Sequence, residues 1–191
     1  MEKLENKATI TKIETKSKDD GTVSIKAYAL AFNNVDSYGD VIIPTACDKW
    51  LQSSESERLA LCYQHDITAV VGVITNKGVD HYGLWIEADI LPTTEGKDLQ
   101  ILLKAGAIKE FSIGYYTVNS HWEIRDENDV RVLDEIKIIE VSPVTRAANP
   151  KAILVDIKSE TSRLKQLSDT DIELLKKAVD EEYMNRVIRN L

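Results

Sequence analysis

Short stretches in which apolar and polar residues alternate, each closed by a turn signal, recur along most of this 191-residue chain. Period-two alternation fits a strand with one buried face, so the pattern limits the chain to a mainly β architecture. Residues 8–15 and 22–32 read as two strands joined by the turn Asp19-Asp20-Gly21, with Val23, Ile25 and Ala27 on one face of the second. A polar loop over 33–40 returns through Val41-Ile42-Ile43-Pro44. Residues 59–63, 69–74 and 84–90 read as further strands, with a turn over 78–83. Two more, 111–124 and 130–141, flank the charged turn 126–129, and 152–157 reads as a last strand.

Helices are few. Thr45-Ala-Cys-Asp48 resembles a capping box and opens a short helix carrying Trp50 and Leu51, which ends in a polar loop over 53–57. Residues 94–105 form the best internal helix, with Leu99, Ile101, Leu102 and Leu103 as its apolar stripe and Gly106 at its C-terminal end. The expected fold class is mainly β with peripheral helices (α+β), as a barrel or a strongly curved sheet. Composition shifts near residue 158. Residues 158–167 read as a linker, and 168–191 as an amphipathic helix with Thr170-Asp-Ile-Glu173 as its capping box. The expected division is therefore 1–157 for the domain and 158–191 for a helical extension. That helix needs a surface: its own domain, a second copy or another protein.

Charge and cysteine usage narrow the function classes. The net charge of −8 and the lack of a long basic run argue against gripping nucleic acid. No apolar run approaches the roughly 20 residues that cross a bilayer, and the first residues lack the apolar segment of a signal peptide. Two cysteines, Cys47 and Cys62, have neither metal nor redox spacing, as expected of a soluble chain in a reducing compartment. The three histidines lie in separate segments without an HxH or HxxxH pattern, so no metal site and no cofactor are expected.

Nucleophilic chemistry is the remaining candidate. Ser112 sits between Phe111 and Ile113, which in a strand face the opposite side, and Gly114 leaves room for another chain to approach. Most strand serines only form hydrogen bonds, so Ser112 needs a base. His65 directly follows an apolar strand, where the core anchors the backbone while the ring reaches a groove, and its intrinsic pKa suits a general base. Its neighbour Asp66 points away in an extended chain. Glu140, an acid within Ile138-Ile139-Glu140-Val141, needs a partner if buried and is the best candidate to orient the base; Asp134 and Glu135 lie in a stretch that reads as solvated. Cys62 is a poor alternative nucleophile, being three residues, about 10 Å, from His65 along one strand. His81 and His121 read as structural.

Several of these segments, in this order, resemble the prohead (capsid maturation) proteases of tailed bacteriophages. They are Phe32-Asn-Asn-Val-Asp36, Gly39 to Pro44, Gln64-His65-Asp66, Val71-Gly72-Val73, Gly83-Leu84, Glu110-Phe-Ser-Ile-Gly114, Ile139-Glu-Val-Ser-Pro-Val-Thr145 and Ala148-Asn-Pro-Lys-Ala152. The resemblance spans about residues 25–155 and implies a closed β-barrel similar to that of herpesvirus assemblins. It implies a serine endopeptidase with Ser112 as nucleophile, His65 as base and Glu140 as orienter; Arg146 is a possible oxyanion helper. It also implies work inside the procapsid in the host cytoplasm, with scaffold and major capsid protein as partners, and cleavage of the protease itself. On this expectation the C-terminal helix is a targeting or self-association segment. A non-enzymatic scaffold- or capsid-associated β-domain that binds through its C-terminal helix is the alternative, and it places Ser112 and His65 far apart.

Overall fold

The computed structural model describes residues 20–158. The strand expected over 8–15, its hairpin with the next strand, and the helix expected over 168–191 lie outside them. Among the described residues eight strands form one curled sheet: β1 (Val23–Ala31), β2 (Asp40–Ile42), β3 (Ala60–Tyr63), β4 (Asp66–Val79), β5 (Gly83–Ile90), β6 (Glu110–Arg125), β7 (Asn128–Val144) and β8 (Leu154–Lys158). Two α-helices, α1 (Asp48–Leu51) and α2 (Thr94–Lys104), and short 3-10 turns at Pro44–Cys47 and Ser54–Arg58 complete the set.

The strand order is β2-β7-β3-β4-β5-β1-β8, with β6 also paired to β7. Most neighbours are antiparallel, but β2 and β3 run parallel to β7. The sheet curls into a half-barrel. Its far sides meet at one antiparallel bridge, Glu110 opposite Ile153, where Phe111 N–H donates to the Ala152 carbonyl and Leu154 N–H to the Lys109 carbonyl, both at 2.8 Å.

Alternation sets the core. In β1 Val23, Ile25 and Ala27 are buried and the residues between them half-buried. From β5, Leu84, Ile86, Ala88 and Ile90 meet Phe111 and Ile113 of β6 and Ile136 and Ile138 of β7 in the same cluster. Thr93 caps α2, its hydroxyl accepting from Gly96 N–H at 3.1 Å. Gly106 follows the helix with φ +71°, the left-handed conformation a helix C-terminus uses. The stripe of α2 is narrower than expected. Leu99 and Leu103 are buried, Leu102 partly so, and Ile101 is 64% exposed because it falls on the solvent side of the turn. The strands expected at 59–63 and 69–74 are two arms of one tight hairpin, and β4 runs on through Gly78 before turning at 80–82.

Leu99→Ala is expected to destabilise the domain by about 2–5 kcal/mol, since it removes a fully buried side chain under the sheet. Thermal and urea unfolding of the two proteins measure this.

Candidate active site

Four residues share one face of the β6–β7 ladder. Ser112 pairs directly with Ser142, and Gly114 with Glu140. Cross-strand partners point the same way, so all four belong to a single patch. Phe111 and Ile113, alternating with Ser112, are buried on the other side, as the strand pattern required. A β-bulge sets the phase of Glu140. Tyr115 pairs with Ile138 but Gly114 pairs with Glu140, which leaves Ile139 as an extra residue. Tyr115 and Gly114 face opposite sides, so Ile138 and Glu140 do too, although they are two apart in sequence. The carboxylate thus leaves the core phase of Ile136 and Ile138.

The histidine arrives from another hairpin. Tyr63 pairs with Asp66, so Gln64 and His65 alone make the turn between β3 and β4. Their φ angles are +54° and +62°, both left-handed, which is the backbone of a type I′ turn. The conformation is unfavourable for non-glycine residues by about 1 kcal/mol or more each. Contacts to the end of β7 offset that cost. Gln64 N–H donates to the Pro143 carbonyl at 3.2 Å, the Gln64 side chain donates to Thr145 Oγ1 at 2.7 Å and accepts from Thr145 N–H at 3.2 Å. His65 N–H donates to Ser142 Oγ at 3.1 Å. His65 is therefore a turn residue rather than the strand-end residue expected. Asp66 is turned away from its ring and accepts from Thr68 N–H and Oγ1.

His65 Nδ1 lies 2.6 Å from Glu140 Oε1, and Ser142 Oγ donates to Glu140 Oε2 at 2.6 Å. Glu140 is only 3% exposed and Ser142 is fully buried. With a carboxylate as its acceptor, Nδ1 carries the proton, which leaves Nε2 as a lone pair. The hydrogen bond to Glu140 carries the His65 pKa above its ordinary 6.5, against the opposing effect of partial burial. Gly114 explains how the carboxylate fits. A Cβ at that position would lie 2.6 Å from Glu140 Oε1. The chain that approaches Gly114 is thus this protein's own β7 side chain.

A cleft of about 520 Å³ opens over this patch. Ser112, His65 and Glu140 line it together with Arg146, Tyr116 and, on the far wall, Asp36. Ser112 Oγ has no hydrogen-bond partner among the described residues. Arg146 is exposed in the loop after β7. Asp36 is tied into its own loop, accepting from Tyr38 and Asp40 N–H; burial pushes its carboxyl up, against those bonds. Behind it Arg131 holds Asp40 through two side-chain hydrogen bonds. Cys62 is buried on β3, and burial pushes its thiol up, so it is not an activated nucleophile. His121 is on the far part of the β6–β7 hairpin, between Asp134 and Glu123, and Glu135 pairs with Lys49. Sequence reasoning missed the role of Ser142, although its spacing from Glu140 places the two on one strand face.

Residues 11–167 match the family model described as caudovirus prohead serine protease. The chain belongs to that family. It is 29% identical over 150 residues to the prohead protease of Enterobacteria phage HK97, covering 76% of this chain and 65% of that protein. It is also 29% identical over 148 residues to the prohead protease of Escherichia phage T5, covering 74% of this chain and 66% of the relative. The chain therefore spans slightly less than two thirds of the length of these relatives. The bacteriophage T4 capsid assembly protease has a similar fold, with a TM-score of 0.51 at 15% identity over 63% of this chain and 80% of that one.

Glu140→Gln removes the group that raises the His65 pKa, so the pKa is expected to fall toward or below 6.5. The sign for stability follows. The raised pKa means that the pair contributes stability below the unfolded value, and this contribution is lost as pH rises through the folded pKa. NMR titration of His65 in both proteins, with unfolding measured at pH 5 and 8, checks both.

Proposed function

We propose that this family member is a serine endopeptidase that cleaves the scaffold, or the scaffolding region of the major capsid protein, and itself during phage head maturation. The observation that carries the reading is the 2.6 Å contact between His65 Nδ1 and buried Glu140 in the cleft that Ser112 also lines. Ser112 Oγ attacks the substrate carbonyl while His65 Nε2 takes the hydroxyl proton. The tetrahedral intermediate collapses, the C–N bond breaks, and His65 gives the proton to the leaving amine. Water then attacks the acyl-enzyme, losing its proton to His65, and the acid product leaves as Ser112 regains its own. Glu140 holds the ring tautomer and stabilises the imidazolium. The oxyanion needs donors worth a few kcal/mol, and the candidates are backbone N–H groups near Ser112 and the Arg146 side chain, which lines the cleft.

On this reading the protein works inside the procapsid in the host cytoplasm. Residues 1–157 are the protease domain, built on the curled half-barrel in place of the fully closed barrel expected, and residues 158–191 serve targeting or self-association. The rival reading, a non-enzymatic scaffold- or capsid-binding domain, requires Ser112 and His65 to be far apart. That both line one cleft favours the protease.

Ser112→Ala, co-expressed with the capsid and scaffold proteins of the same phage, is expected to lose cleavage of those proteins and of itself by roughly six orders of magnitude, with unchanged thermal unfolding. Intact mass follows all three chains. Cleavage at the wild-type rate would remove Ser112 from the mechanism.

A further inference from the structure

Among the described residues, Ser142 is the one fully buried hydroxyl that touches two of the three proposed catalytic elements. It receives the backbone N–H of His65 at 3.1 Å and gives its only proton to Glu140 Oε2 at 2.6 Å. The direction is fixed, because a backbone N–H can only donate and an ionised carboxylate only accept. Both oxygens of Glu140 are thereby engaged, Oε1 by the imidazole and Oε2 by the serine. On the other side of the carboxylate, Gly114 supplies only space, since a Cβ there would overlap Oε1.

From these contacts we infer that Ser142 is a positioning residue of the active site: its hydroxyl sets the Glu140 rotamer and fastens it to the His65 turn, in a slot that Gly114 keeps open. The inference rests on the proposed serine mechanism for its effect on rate but not for its effect on His65. Without the hydroxyl, Oε2 loses a donor and the His65 amide loses an acceptor at a position that is fully buried in the fold. The carboxylate then rotates away from Nδ1, or the turn lifts. Either movement lowers the His65 pKa. A purely structural serine would alter stability and leave that pKa where it is. The other titratable groups around this site are Asp36, Tyr38, Tyr115, Tyr116 and Arg146, which line the cleft, and Cys62 and Asp66 on the hairpin that carries His65. None of them is changed by the substitution.

The test is Ser142→Ala, with Gly114→Ala as a second variant reaching the same carboxylate from its other side. Two readouts are taken. The first is kcat and KM on a peptide spanning a cleavage site mapped by intact mass. The second is the NMR titration of His65 in a Ser112→Ala background, which requires no activity. The expected result is kcat reduced roughly tenfold to a hundredfold with KM nearly unchanged, and a lower His65 pKa in both variants. An unchanged or higher His65 pKa in folded Ser142→Ala overturns the inference, as does a wild-type kcat. If Ser142→Ala does not fold, Gly114→Ala decides by the same two readouts. Full activity of Ser112→Ala overturns the proposed mechanism instead, and the His65 titration still judges Ser142 by itself.

Discussion

A carboxylate held almost out of water is the constraint around which this site is built. Stripping an ion of its hydration costs several kcal/mol even after the protein relaxes, so Glu140 is tolerable only with both oxygens occupied. The imidazole takes one and the Ser142 hydroxyl the other. Three backbone features make those contacts possible: a bulge at Ile139 that changes the phase of β7, a glycine opposite the carboxylate, and a turn that places His65 above it. None of them is a chemical participant, yet each answers a requirement set by the same charge.

The turn shows how tension in one place is balanced in another. Two consecutive non-glycine residues in the left-handed region form a poor hairpin by local preference. A glycine would relieve the backbone at position 65 but carries no ring. The chain keeps the histidine and fastens the turn to Ser142, Pro143 and Thr145 instead. Since Arg146 comes next, the proposed base and the proposed oxyanion helper hang from adjacent residues of one segment. The opposite wall is anchored separately. Ser37 N–H bonds the Ala148 carbonyl, and Asn34 bonds Asn149, which also reaches the Ala31 carbonyl.

Much of the strand pattern was legible in the sequence because period-two burial is a local signal. Val23, Ile25 and Ala27 alternate as strictly in the structure as in the text, and Ser112 faces away from Phe111 and Ile113. The order of candidate segments was enough to bring Ser112, His65 and Glu140 to one cleft. What could not be read depends on non-local geometry. By parity alone Glu140 belongs with Ile136 and Ile138 in the core, and only the register with β6 reveals the extra residue that moves it. The same holds for Gly114, whose need for space comes from a side chain 26 positions later. Ile101 failed for a simpler reason: a leucine- and isoleucine-rich helix does not say where its stripe ends.

The meeting of Glu110 with Ile153 brings a last consequence. That bridge lies two residues before Ser112, and Glu110 also accepts from Ala147 N–H at 2.8 Å, next to Arg146. The seam of the curled sheet therefore passes beside Ser112. Seams are where sheets breathe, through sub-global openings that need far less energy than unfolding. Because β6 is paired to β7 along its whole length, an opening there leaves Ser112 opposite Ser142 and Gly114 opposite Glu140. One strand thus serves two joins: its ladder to β7 aligns Ser112 with Ser142 and Gly114 with Glu140, and its first residue closes the curl of the sheet.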